Sequence, residues 1–243
     1  MATPSPELHG VPVPSRLESA AIAACLSPAE GSICAAFGFD KRRTEWLAGR
    51  LAAKQLVQAR HAIQGPDALR MIEIGNVADG PERGRPFYRI GGGPGPFPLS
   101  ISHSGRLAIA ALARRADDRV GVDIEHVEYR ESSFETVALS ESERHDLSGF
   151  SGLSRWRAVT RIWVLKEALL KAIGVGLHVP LTQVTVRGNH QAPCGAWSFQ
   201  VAREARARFQ ALSVLGTRHV VVSTFEMGEC LGAWVVIPGE AHS

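Results

Sequence analysis

The 243-residue sequence predicts an α+β fold. Two long helical patterns, near 42–62 and 155–173, are each joined to groups of short β-rich runs. Helices thus alternate with antiparallel-looking strand groups rather than with the single strands of a parallel sheet. With 45% hydrophobic and 21% charged residues the chain can bury a substantial core, as one large or two small domains. The two halves share this grammar, although no residue-level repeat is convincing.

Four prolines and no periodicity predict a flexible terminus over 1–15. A helix is expected over about 42–62 and an extended segment over 69–75. The glycine- and proline-rich stretch 91–98 reads as a loop. Strands follow from Leu99 through Ala113. Residues 107–113 are an apolar run, 114–119 a charged turn, and 120–125 alternate apolar with polar, which predicts a hairpin. Ser140 and Glu143 have the spacing of a capping box and open a helix. In the long helix over 155–173, Ile162, Leu165, Leu169 and Ile173 form an apolar stripe, and Gly174 is a natural stop. Further strands are expected around 184 and over 197–201, 211–215, 219–225 and 231–237.

The apolar stretch 20–26 is too short to span a bilayer and lacks a preceding basic region, so neither a signal peptide nor a membrane segment is expected. Cysteines 25, 34, 194 and 230 have no CxxC or zinc spacing and read as scattered reduced thiols, which favours the cytoplasm. The net charge is a modest +3, with basic clusters at Lys41 to Arg43 and at Arg155, Arg157 and Arg161. Acidic partners are expected rather than nucleic acid.

Chemistry concentrates in three places. In Gly121-Val122-Asp123-Ile124-Glu125, Val122 and Ile124 would face the core and Asp123 and Glu125 the other side. Two carboxylates roughly 6.5 Å apart at the backbone disfavour joint ionisation unless a cation lies between them, and a hard cation such as Mg²⁺ meets that need. On the long helix Trp163, Glu167 and Lys171 share one face, each a turn from the next. Taken alone, Glu167 and Lys171 are equally a surface pair worth a few tenths of a kcal/mol. The third place is Ser100-Ile101-Ser102-His103-Ser104-Gly105, whose hydroxyls, imidazole and glycine make a phosphate site. A Mg²⁺-dependent nuclease also uses spaced carboxylates and a lysine, although Val127 stands where such sites often place a lysine. A non-enzymatic binding module would explain the basic clusters but not the three acids.

SxSHS, GVDIE and WxxKEAxxK, in that order, resemble the 4′-phosphopantetheinyl transferases of the surfactin-type and enterobactin-type group. The likeness extends to Lys41-Arg42-Arg43-Thr44-Glu45-Trp46-Leu47-Ala48-Gly49-Arg50, similar to an early basic helix, and to Gly84-Arg85-Pro86. The resemblance implies two similar α/β subdomains, 16–117 and 118–243, related by a pseudo-twofold axis with the active site between them, in a monomer. It also implies transfer of phosphopantetheine from coenzyme A to a serine of an acyl, peptidyl or aryl carrier protein, with Mg²⁺ and release of 3′,5′-ADP. Asp123, Glu125 and Glu167 would hold the metal. Glu167 would also act as base, directly or through water, and Lys171 would hold a phosphate oxygen. Ser102, His103, Arg43, Arg50 and Arg85 would bind coenzyme A, with Arg42 rotated away, and Arg155 and Arg157 would meet an acidic carrier.

Overall fold

The computed structural model describes residues 5–14, 24–189 and 196–240, so Cys194 and most of the 20–26 stretch lie outside the described residues. The fold is α+β. Its first half runs β1 (Glu7–Pro12), α1 (Pro28–Ala35), α2 (Asp40–His61), α3 (Ala68–Met71), β2 (Ile72–Asn76), β3 (Pro86–Ile90), β4 (Gly93–Pro94), β5 (Leu99–Ser104) and β6 (Leu107–Leu112). The second runs β7 (Arg119–His126), α4 (Ser132–Ala138), α5 (Glu141–Asp146), α6 (Gly152–Ile173), β8 (Val184–Arg187), β9 (Ser198–Val201), α7 (Arg203–Arg208), α8 (Val214–Thr217), β10 (Val221–Met227) and β11 (Cys230–Ile237).

The sheets recur in topology where the sequence does not recur in residues. Antiparallel sheets with order β1-β6-β5 and β10-β11-β7 both put the last strand of the half in the middle, and the smaller sheets pair β2 with β3 and β8 with β9. Each main hairpin closes through two residues led by glycine, Gly105-Arg106 and Gly228-Glu229, both glycines at φ 59°. Positive φ at the first central position is what a tight hairpin turn of this kind requires.

The same buried knot locks the long helix of each half. Lys54 donates to Glu30 Oε2 (2.5 Å) and to the carbonyls of Cys25, Leu69 and Ile72, while Glu30 Oε1 accepts from Ile74 N. Lys166 donates to Glu143 Oε2 (2.6 Å) and to the carbonyls of Ala138 and Leu181, while Glu143 Oε1 accepts from Val186 N. Glu30 and Glu143 each close a capping box, with Ser27 and Ser140. Their serial fixation sets the rotation of α2 and α6 about their axes. Lys54, which could have extended the basic face of α2, is instead entirely buried.

Around these knots α2 packs with Val11, Ile72, Ile74, Tyr88, Leu99 and Leu112, and α6 with Leu147, Val184, Ala233 and Val235. A third cluster joins Ile109 and Ala111 of β6 to Val120, Val122 and Ile124 of β7, so the alternation in β7 falls as expected.

Several expectations are corrected. Residues 7–12, expected to be flexible, form β1 and pair with β6 along their whole length, with Val11 in the core. The expected hairpin between 107–113 and 120–125 does not form: both edges of β6 are taken by β1 and β5, and β7 pairs with β11. Residues 210–217 are a 3₁₀ turn (Gln210–Ser213) followed by α8, not a strand, because a short apolar run satisfies either period. The segment at 69–75 begins helical and becomes extended only at Ile72.

Candidate active site

The site forms where β5, β7 and α6 meet, and a glycine permits the meeting. A Cβ at Gly121 would stand 1.9 Å from Ala168 O and 2.5 Å from Ala172 N. Only a bare backbone lets α6 lie so close on β7. This brings Lys171 Nζ to 2.7 Å from Asp123 Oδ1 and 3.2 Å from Val122 O. Trp163, Glu167 and Lys171 line one cavity with Asp123, Glu125, Ser102 and His103.

The serines of β5 do structural work that sequence reasoning assigned to phosphate. Ser100 Oγ accepts from Val122 N (3.0 Å), Ser102 Oγ donates to Asp123 Oδ1 (2.7 Å), and Ser104 Oγ donates to Glu125 Oε2 (2.8 Å) and accepts from His126 N. Alternate residues of a strand share a face, so three hydroxyls at every second position stitch the β5 edge to the β7 edge. The SxSxS spacing held that signal. His103, between them, lines the cavities as well.

The acids are under electrostatic strain. Burial, reinforced by the Asp123 and Glu125 charges, pushes the Glu167 carboxyl up to about 7, and burial followed by the Asp123 charge raises Glu125. Asp123 Oδ2 and Glu167 Oε1 are buried without a hydrogen-bond partner. Two such oxygens facing one cavity fit a hard cation, and Mg²⁺ is commonly held by one or two carboxylates with the remaining positions left to water and phosphate. Glu125 is turned aside to Ser104 and to Arg130 Nη2 at 3.1 Å. Accordingly, among the described residues no group of three or more His, Cys, Asp or Glu is arranged to hold a metal.

Next to this cavity a second one of about 350 Å³ is lined by Arg50, Asn76, Arg83, Arg85, His103 and Lys171. Arg50 stacks 4.4 Å over the Trp46 ring, donates to Asn76 Oδ1 (2.6 Å) and keeps a buried Nε without a partner. Burial lowers its pKa to about 10, the mark of a guanidinium short of counter-charge. Arg85 reaches the cavity while paired with Glu82 at 2.6 Å. Burial likewise lowers the His103 pKa, which favours the neutral imidazole.

Arg43 is not gathered with them. It donates to Phe37 O (2.7 Å) and Asp40, and Arg42 lines the adjacent pocket with Glu45, Trp46 and Arg50. The face of α2 toward the site is set by where β5 packs, not by the exact seven-residue interval from Arg50. Arg155 makes a bidentate pair with Glu135, Arg157 pairs with Glu226, and Arg161 is buried, so that basic cluster is not a free surface. Asn76 and Arg130, which carried no motif, became visible only in three dimensions, as did the stacking of Arg50 on Trp46.

Residues 119–222 match the family model described as the 4′-phosphopantetheinyl transferase superfamily. The chain is 30% identical over 182 residues to the L-aminoadipate-semialdehyde dehydrogenase-phosphopantetheinyl transferase of Xenopus laevis, covering 70% of this chain and 57% of that protein. It thus spans less than two thirds of that relative's length. It is 26% identical over 201 residues to 4′-phosphopantetheinyl transferase psf-1 of Bacillus pumilus, covering 78% and 79%, and 30% identical over 140 residues to enterobactin synthase component D of Salmonella austin, covering 58% and 51%. The holo-(acyl-carrier-protein) synthase of Bacillus anthracis, solved in complex with CoA (3′,5′-ADP), aligns over 50% of this chain and 96% of its own, at 24% identity and a TM-score of 0.39.

Proposed function

We propose that this chain, whose residues 119–222 match the model of the 4′-phosphopantetheinyl transferase superfamily, transfers phosphopantetheine from coenzyme A to a serine of an apo carrier protein, with Mg²⁺, releasing 3′,5′-ADP. The observation that carries this reading is the cluster of Asp123, Glu167 and Lys171, two acids with open buried oxygens beside one lysine, next to an arginine-lined cavity.

Asp123 and Glu167 would hold the metal, with Glu125 as the third acid. When bound, Mg²⁺ supplies charge neutralisation on the pyrophosphate and on the departing phosphate. Arg50, Arg85 and His103 gather the phosphates of coenzyme A, the arginines by charge-assisted hydrogen bonds and neutral His103 as a donor. Lys171, fixed by Asp123 and the Val122 carbonyl, presents its ammonium to the transferring phosphoryl group as a point charge. The carrier serine oxygen bonds to the phosphorus that bears pantetheine, the bond from that phosphorus to the bridging oxygen breaks, and 3′,5′-ADP leaves with the electron pair. Glu167 accepts the serine proton, directly or through one water. Ser102, bonded to Asp123, orients that acid.

Among the described residues no helix is long and apolar enough to cross a membrane, and Cys25, Cys34 and Cys230 are free and buried. We place the enzyme in the cytoplasm as a monomer of two subdomains, in keeping with its reduced thiols and its recurring topology. The test is intact mass of an apo carrier protein after incubation with the protein, coenzyme A and Mg²⁺. A gain of about 340 Da, absent with Glu167→Ala, is expected for transfer of the intact group. No gain across acyl, peptidyl and aryl carriers would overturn the reading.

A further inference from the structure

We propose that Arg130 is a positioning residue for the metal site, holding Glu125 Oε2 so that a cation drawn to this carboxylate competes with the ion pair. The inference rests on the metal reading above. Arg130 Nη2 lies 3.1 Å from Glu125 Oε2 and 3.7 Å from Glu128 Oε1, and both Arg130 and Glu125 keep only 22% of their side-chain surface exposed. The guanidinium is itself pinned, 4.6 Å over the Phe134 ring. Phe134 packs 4.7 Å from Trp163, which lines the cavity of Asp123, Glu167 and Lys171. Arg130 therefore packs behind that cavity and lines the neighbouring groove together with Glu125. Asp123 Oδ2 and Glu167 Oε1 are buried and unbonded, and the two bonds of Glu125, to Arg130 and Ser104, both fall on Oε2. A cation drawn to Glu125 competes with the Arg130 charge for the carboxylate, so the pair weakens cation binding.

The test is a titration of the full chain with Mn²⁺ alone, read as free Mn²⁺ by electron paramagnetic resonance, without coenzyme A. Arg130→Gln is expected to tighten Mn²⁺ roughly fivefold, the order of magnitude of a half-buried ion pair. Arg106→Gln is the charge control, since Arg106 lies along the same groove as Glu125. It should tighten binding less. In a Glu125→Gln background, Arg130→Gln should do no more than Arg106→Gln. Thermal melts of each variant verify folding. Tightening by Arg130→Gln no greater than by Arg106→Gln, or tightening that survives undiminished in the Glu125→Gln background, overturns the proposal while leaving the metal reading intact. Mn²⁺ binding that is absent, or indifferent to Asp123→Asn, overturns both.

Discussion

Glu167 couples stability to pH with a definite sign. Its pKa is raised from 4.5 to about 7 by burial and by the charges of Asp123 and Glu125. A raised carboxyl pKa means that the unfolded chain releases its proton first, so stability is complete below about pH 4.5 and is lost as pH rises through about 7. In metal-free protein, Glu167→Gln should therefore raise the melting temperature at pH 8 and change it little at pH 5, with a ceiling of about 3 kcal/mol from a shift of that size. Scanning calorimetry in chelator decides it, and equal effects at both pH values would contradict the assignment. The same variant should abolish transfer. Lys171→Ala should lower kcat by about 10²–10³, the usual loss of one transition-state donor, and an unchanged kcat would remove Lys171 from the chemistry. At this scale the sequence was readable: Asp123, Glu125, Glu167 and Lys171 stood out because strand and helix periods place them on shared faces. Arg43, expected beside Arg50, instead turns back to Phe37 O, and helix geometry alone does not see that.

Two elements decide whether those residues meet. β7 and α6 are in contact through Gly121, where any side chain would strike α6 backbone that has no room to relax. Gly121→Ala should cost at least about 3 kcal/mol and should weaken Mn²⁺ binding by drawing Glu167 away from Asp123. Urea unfolding together with the Mn²⁺ titration checks this, and near-native values of both would show that the helix accommodates a methyl group. The rotation of α6 is fixed by the Lys166–Glu143 knot. Burial lowers the Lys166 pKa, opposed by Glu143, so removing the acid leaves an ammonium with nothing to offset its desolvation. Glu143→Ala should lose about 3–5 kcal/mol in urea unfolding, and a loss under about 1 kcal/mol would mean the knot is dispensable. The capping box at Ser140 and Glu143 could be read from spacing. That Glu143 also holds Lys166, adjacent in sequence to Glu167, could not.

For the molecule as a whole, the N-terminal segment is part of the sheet rather than a tail. Removal of residues 1–13 takes away β1, its six-residue register with β6, and Val11 from the core. Shortened protein should melt far lower or fail to stay soluble, because β6 is left with an open edge. An unchanged melting temperature would restore the flexible terminus. The α+β class and most strands of the second half were legible, since alternation and turn residues are local. The β6–β7 hairpin was not, because competition for the edges of β6 is settled by strands nearly a hundred residues away in β1 and by β5.

The sequence by itself determined which polar residues share a face and the elements that carry them: Asp123 and Glu125 on β7, Glu167 and Lys171 on one face of α6, the serines on alternate positions of β5. Period and residue type suffice for that, because both act over a few residues. Only the tertiary structure decided what each group touches. It gave the hydroxyls of Ser100, Ser102 and Ser104 to β7, tied Glu125 to Arg130, left Asp123 and Glu167 with open oxygens, and brought Arg50 and Lys171 from opposite halves to one cavity. Such pairings depend on packing between segments distant in the chain, where close approach at a glycine and the burial of charge select one arrangement that no local pattern encodes.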